Sequence, residues 1–339
     1  MKIGVLTAGG DCPGLNAAIR GVVARAAGDG VGVVGFENGW EGLMEGRFRP
    51  LTRDDVRGIL VRGGTILGTS RLDPYVHGDG FGSVSAGLVA AEVDGLVVIG
   101  GDGTLRTASD LHRDGVGIVG VPKTIDNDIG DTDATFGFHT AVQIVTDAID
   151  RLTTTAEAHN RVMVVEVMGR TTGWIATYAG LAGGAEAILV PEVPYDLTDL
   201  AARLVRRHEA GHTYSIVVVA EGVPAPDGDK VTSGVDAFGF ERLGGVGEQI
   251  AERLEDLTGF ESRSMTLGHL QRGGTPTAYD RVLATRMGIA ATESLLGGRS
   301  GVMVALRGDE IVEVDLEQAC REVRTMSADR LAEARWFFA

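Results

Sequence analysis

Four short apolar runs in this chain each give way to glycine. Ile3 to Leu6 precedes Gly9-Gly10, Leu96 to Ile99 precedes Gly100-Gly101, Val116 to Val119 precedes Gly120, and Val164 to Met168 precedes Gly169. Runs of that length are strand-sized, and glycine at their ends permits the tight turn that leads into a helix. Their apolar character is largely continuous rather than alternating, which predicts a sheet covered on both faces. Between them fall amphipathic stretches of helical period: Leu15 to Ala27, Thr140 to Leu152, Asp199 to His208 and Gly247 to Leu257. Strand–helix alternation along the whole length predicts a parallel, doubly wound α/β architecture. Glycine makes up 51 of the 339 residues, about twice its usual share of roughly 7%, and the excess gathers at these junctions.

A chain of 339 residues exceeds what one hydrophobic core comfortably serves, so two domains are expected. No Pro/Ser-rich linker divides it, so the two must interweave. The segment from Val223 to Gly239, rich in Pro, Asp and Gly, reads as a surface loop. No apolar run approaches the roughly 18 residues of a membrane helix, and the N-terminus enters a strand directly. A soluble, cytoplasmic protein is expected. Acidic residues outnumber basic ones 47 to 31, for a net charge of −16. Such a chain repels nucleic acid and anionic membranes, so neither is an expected partner. Cys12 and Cys320 stand in no metal-binding spacing, which suits a reducing compartment.

Open α/β sheets bind ligands at the carboxyl ends of their strands, and three segments there carry the chemistry. Gly9-Gly-Asp-Cys-Pro-Gly14 lets backbone approach a ligand just before a helix N-terminus, or is simply a tight turn. Gly100-Gly-Asp-Gly-Thr104 offers a backbone cradle for phosphate oxygens, with a carboxylate in reach of phosphate-bound Mg²⁺. The same five residues occur in kinases resembling NAD kinase and diacylglycerol kinase. Pro122-Lys-Thr-Ile-Asp-Asn-Asp128 sets two carboxylates two residues apart beside a threonine and a lysine. Phosphoryl transfer needs an acceptor for the attacking hydroxyl's proton and a second acid for metal or neighbours. A helix cap or a calcium-loop fragment is the alternative, although the full Asp-x-Asp-x-Asp-Gly pattern is missing.

Taken together the ordered blocks resemble the 6-phosphofructokinase family, in particular its mixed-substrate group. The blocks are GGDCPGLNAAIRG from Gly9, RGGTILGTSR from Arg62, GGDGT from Gly100, PKTIDND from Pro122, HNR from His159, VEVMGR from Val165, AEG from Ala220 and GHLQRGGTPTAYDR from Gly268. The resemblance runs from Lys2 to Arg307. It implies two interleaved, doubly wound α/β domains with mainly parallel sheets. About 1–137 plus 250–305 would hold nucleotide and Mg²⁺, and about 138–249 plus 306–339 the sugar phosphate. It further implies a homotetramer that phosphorylates the 1-hydroxyl of fructose 6-phosphate in glycolysis. Asp126 would be the general base and Asp102 the Mg²⁺ ligand. Gly10, Arg71, Leu72 and Gly101, Asp102, Gly103 and Thr104 would line the ATP site, with Arg71 also bridging the transferring group. Thr124, Asp126, Met168, Gly169, Arg170, Glu221, His269 and Arg272 would line the sugar-phosphate site, joined by Arg161 and Arg263 from a neighbouring subunit.

The resemblance divides over the phosphoryl donor. Gly103 matches ATP users, since pyrophosphate users carry aspartate there; Lys123 matches pyrophosphate users. Absence of a side chain at Gly103 leaves room for a nucleotide α-phosphate, whereas Lys123 adds a cation and excludes nothing. ATP is therefore the expected donor, with pyrophosphate the alternative. Arg20, Arg53 and Glu186 match an effector site of bacterial relatives, but Ala210 to Thr213 and Thr153 depart from it, so the usual activation is not expected.

Overall fold

The computed structural model describes residues 1–228, 232–235 and 241–335. In chain order the first stretch runs β1 (Lys2–Ala8), α1 (Leu15–Gly28), β2 (Gly32–Phe36), α2 (Trp40–Met44), β3 (Phe48–Leu51), α3 (Pro74–His77), α4 (Phe81–Ala91), β4 (Gly95–Gly100), α5 (Asp102–Arg113), β5 (Ile118–Thr124) and β6 (Phe136–Gly137). Then follow α6 (Phe138–His159), β7 (Val162–Val167), α7 (Trp174–Ala182), β8 (Ala187–Leu189), α8 (Leu197–Glu209), β9 (Ser215–Ala220), β10 (Thr232–Val235), β11 (Glu241–Leu243), α9 (Val246–Thr258) and β12 (Ser262–Thr266). The chain closes with α10 (Ala278–Leu296), β13 (Val302–Arg307), β14 (Glu310–Asp315), α11 (Leu316–Ala319) and α12 (Ala328–Arg335).

It divides into two compact units, Met1–Thr140 with Arg272–Arg324, and Ala141–Gln271 with Thr325–Ala339. The first unit holds an eight-stranded sheet in the order β14-β13-β5-β4-β1-β2-β3, with β6 on β5. Its centre is parallel and fully buried, and only the outer β2–β3 and β13–β14 pairs are antiparallel. Leu6, Leu96, Val98 and Ile118 pack with Leu43 of α2, Val84 of α4 and Leu105 and Leu111 of α5. Helices α1 and α10 pack on each other, and α10 also lies along β4, β5 and β13. The second unit is a four-stranded parallel sheet, β12-β7-β9-β8. The doubly wound, mainly parallel α/β class expected from the glycine-terminated runs is the observed one.

The unit boundaries differ from the expected ones. Residues 250–271 stay with the second unit because β12 pairs with β7 and α9 packs on both. The return falls at Arg272, and 306–324 stays with the first unit because β14 closes its sheet edge against β13. Within the segment from Val223 to Gly239, read as a loop, β10 forms an antiparallel ribbon with β11, and residues 229–231 and 236–240 lie outside the described ones.

Candidate active site

In the first unit the carboxyl ends of β1, β4 and β5 lie side by side, with Ala8 opposite Gly100 and Gly100 opposite Pro122. Their loops are fitted together where a side chain would not go. A Cβ at Gly100 would stand 2.3 Å from the Thr104 methyl, and one at Gly9 (φ 81°) 3.1 Å from the Thr104 hydroxyl. The neighbouring segment completes the contact: Ser70 O accepts the Gly9 N–H at 2.9 Å, and the Thr69 hydroxyl donates to Gly9 O at 2.7 Å. Exposed Arg71 follows directly. Leu72 packs against the main core instead of standing open.

Gly101 caps α5, so Asp102 occupies the first helical turn, where the macrodipole favours an acid. Its carboxylate holds Arg106 at 2.8 Å and remains partly exposed. Beside it, a Cβ on Gly103 would meet nothing within 4 Å.

At the end of β5, Lys123 is buried (2% exposed), and its ammonium donates to the Gly10 carbonyl. Desolvation lowers its pKa from the ordinary value, with the nearby Arg272 charge pushing the same way. Arg272, expected among the sugar-phosphate residues, belongs to this unit. It donates to Asp11 O at 3.2 Å, and its guanidinium covers Gly10, where a Cβ would stand 2.9 Å from Nη1.

The turn that carries Asp126 and Asp128 is pinned from several sides, and both carboxylates are buried. The Thr124 hydroxyl accepts the Asp126 N–H at 3.0 Å. Asn127 adopts a left-handed conformation (φ 54°), which asparagine tolerates better than most side chains. Its amide oxygen accepts the Thr135 N–H at 3.0 Å, and Arg324 donates to the carbonyls of Asn127 and Asp128.

The second unit gathers the other expected residues in two places. At the carboxyl ends of the neighbours β7 and β9, Glu221 accepts the Arg170 N–H at 3.0 Å. Arg170 is itself left-handed (φ 55°), and a Cβ at Gly222 would stand 2.1 Å from the Arg170 carbonyl. Met168 donates its N–H to buried Gln271 at 3.2 Å, and His269 is exposed on the short turn that contains Gln271. Gly169 (φ 149°) admits no side chain, since a Cβ would lie 2.4 Å from the Thr172 carbonyl. The other place is the opposite end of β7. There Arg161 and Arg263 converge on Glu261, at 2.9 and 2.5 Å, and the Arg161 hydrogen bond holds the Glu261 carboxyl below its ordinary range. Six residues of β7 separate the two places, about 20 Å at the strand rise.

Sequence reasoning did not single out Asn127, Gln271, Gly222 or Glu261. Asn127, Gln271 and Gly222 lie inside the blocks quoted above, where an asparagine and a glycine, residue types suited to a left-handed turn and a close approach, were the signal for two of them; nothing marked Gln271 or Glu261. Cys12 and Cys320 are free and buried. Among the described residues no helix is long and apolar enough to cross a membrane, and no three potential ligands from His, Cys, Asp and Glu cluster as for a metal ion.

Two glycine loops, after β1 and β4, and the carboxylate turn after the adjacent β5 stand at the carboxyl ends of parallel strands, where open α/β proteins as a class bind their ligands. The chain belongs to the phosphofructokinase family, whose model, described as Phosphofructokinase, matches residues 2–295. It is 54% identical to a pyrophosphate–fructose 6-phosphate 1-phosphotransferase of Amycolatopsis methanolica, over 100% of both chains. It is 52% identical to ATP-dependent 6-phosphofructokinase 3 of Streptomyces coelicolor, over 98% of this chain and 99% of that one. Among solved structures it resembles phosphofructokinase of Pichia pastoris in the T-state (TM-score 0.85, 31% identity, 99% of this chain) and that of Saccharomyces cerevisiae (TM-score 0.82, 32% identity, 94% of this chain). It spans only 36% and 45% of those two chains.

Proposed function

We propose that this chain transfers the γ-phosphoryl group of Mg-ATP to the 1-hydroxyl of fructose 6-phosphate, giving fructose 1,6-bisphosphate and ADP. Asp126 takes the hydroxyl proton as the new O–P bond forms and the bond from the γ-phosphorus to the bridging oxygen breaks. Gly10 and the Gly101–Thr104 loop cradle the donor, and Arg71 spreads the charge of the transferring group. Asp102 is the residue that would hold Mg²⁺. A single, partly exposed carboxylate fits a cation that takes most of its ligands from water and phosphate oxygens. Bound there, Mg²⁺ would supply charge neutralisation for the phosphates. Thr124, Met168, Gly169, Arg170, Glu221, His269 and Arg272 bind the sugar phosphate. Arg272's hold on the Gly10–Asp11 loop suits it to the phosphate-transfer side of that site. Arg161 and Arg263 act from a neighbouring subunit of a homotetramer. The length of β7 between Arg161 and Arg170 supports this, since it exceeds the span of one sugar phosphate.

The open space around Gly103 carries the choice of donor. Burial of Lys123 against the Gly10 carbonyl supports the same choice, because its ammonium is already engaged. Pyrophosphate is the second reading, favoured by Lys123 itself and by the names of relatives 54% and 53% identical to this chain. Assays of purified protein with fructose 6-phosphate, Mg²⁺ and either donor separate the two. ATP should support turnover and pyrophosphate should be negligible. Gly103→Asp fits the free protein but sets a carboxylate against the α-phosphate, at a cost of about 1–4 kcal/mol. ATP turnover should then fall roughly fivefold to several hundredfold. A wild type that prefers pyrophosphate establishes the second reading, whereas a Gly103→Asp variant with undiminished ATP turnover shows that Gly103 does not set the donor and leaves Lys123 as the better guide.

A further inference from the structure

Asp280 has no part in the chemistry above, yet its carboxylate is 0% exposed. One carboxylate oxygen accepts both the N–H of Thr140, at 2.7 Å, and the Thr140 hydroxyl, at 2.5 Å. The same hydroxyl accepts the Thr277 N–H at 3.0 Å, and the Thr277 side chain caps α10 by accepting the Asp280 N–H at 3.4 Å. One threonine hydroxyl thus ties the first turn of α6 to the first turn of α10.

The residues on either side of this tie reach the phosphate loops. Just before α6, Phe136 and Gly137 pair with Lys123 and Thr124. The Phe136 carbonyl accepts the Cys12 thiol at 3.6 Å, and its ring lies 2.8 Å from where a Gly14 Cβ would stand. A Cβ at Gly137 would lie 2.5 Å from the Cys12 sulfur. Residues 136–140 are therefore the wall on which both the Gly9–Gly14 loop and the end of β5 rest. Just before α10 comes Arg272, which grips Asp11.

We propose that Thr140 and Asp280 are positioning residues for phosphoryl transfer, a latch that holds the wall behind the Gly9–Gly14 loop and Lys123–Asp126. The inference rests on the phosphotransferase reading. The latch backs Thr124, Asp126 and Arg272 but touches none of the sugar-phosphate residues of the second unit, so its loss should act more on kcat than on KM for the sugar. Small misplacements of reacting groups cost rate steeply.

Thr140→Val keeps the shape and removes the hydroxyl. It should lower kcat about tenfold or more and raise KM for fructose 6-phosphate by a smaller factor; Thr140→Ser should restore kcat. Amide hydrogen exchange of the valine variant should quicken over 120–126 as well as over 136–142. Unchanged kcat, a loss that serine does not restore, or exchange that quickens only within α6 overturns the latch. If the valine variant does not fold, Asp280→Asn is measured in the same way. A wild type that phosphorylates the sugar with neither donor overturns the underlying reading instead, which distinguishes the two failures.

Discussion

The Lys123 side chain is closed off from water, with the Gly10 carbonyl as a hydrogen-bond partner for its terminal nitrogen. Burial lowers its pKa below the ordinary 10.5. As pH falls below 10.5 the unfolded chain therefore takes up the proton first, and the folded state follows only at its own lower value. In that window the unfolded state binds more protons, so this group makes stability rise with pH, by up to about 1.4 kcal/mol per pH unit. Lys123→Met is close in length and has no proton to exchange, so it should lose that slope. Urea unfolding of both proteins at a series of pH values below 10.5 checks this, and parallel profiles would refute it. At this scale the sequence offered candidates, because Gly103, Asp102, Lys123 and Asp126 stand in motifs whose residue types serve phosphate chemistry. Their states were not legible. Burial of Lys123 depends on Gly10 from another strand end, the left-handed turn at Asn127 is stabilised by Thr135, and engagement of Arg161 depends on Glu261 a hundred residues away.

Helices α1 and α10 meet so closely that glycine is required on both. A Cβ at Gly21 would stand 2.5 Å from the Thr285 carbonyl, and one at Gly288 would stand 2.2 Å from the Ala18 carbonyl. Backbone on both sides leaves no flexible side chain to give way. In an exposed helix, Gly→Ala gains about 1 kcal/mol; here overpacking against backbone, which typically costs about 1–3 kcal/mol and occasionally more, should outweigh that gain. Gly288→Ala should therefore lower Tm by several degrees in a thermal scan, and a higher Tm would mean the crossing yields more easily than its geometry implies. Among elements, the buried parallel strands were the easiest to read, since β4 extends the run Leu96 to Ile99 by one residue at each end, although β5 continues past Gly120, which was read as its end, to Thr124. Helix α6 runs well past the stretch read for it, to His159, because its polar second half is still helical. The antiparallel closures were not legible. Strand β14 has a half-exposed pattern and β3 only four residues, and each owes its place to a neighbouring strand. The same holds for the domain return, where pairing of β12 with β7 carries the second unit on to Gln271.

For the assembled molecule, the decisive question is where Arg161 and Arg263 act. In the free chain both pair with Glu261, whose carboxyl they hold below its ordinary range, at the amino end of β7, and Arg263 also lies 3.5 Å from Glu255. A sugar-phosphate dianion arriving from a second copy would compete with Glu261 for two guanidiniums already side by side, and planar guanidinium forks suit phosphate oxygens. If the homotetramer is built this way, each site takes Asp126 from one chain and the two arginines from another. Arg161→Ala and Asp126→Asn chains are then each deficient, for different reasons. An isologous pair containing one of each has one site with both defects and one with neither. Random exchange makes about half of all pairs mixed, so activity should recover to about a quarter of wild type. Steady-state assays before and after exchange, with mixed oligomers verified by mass, check the outcome. Recovery near that fraction supports the shared site, whereas mixed oligomers that remain inactive place the base and the arginines of each site within a single chain.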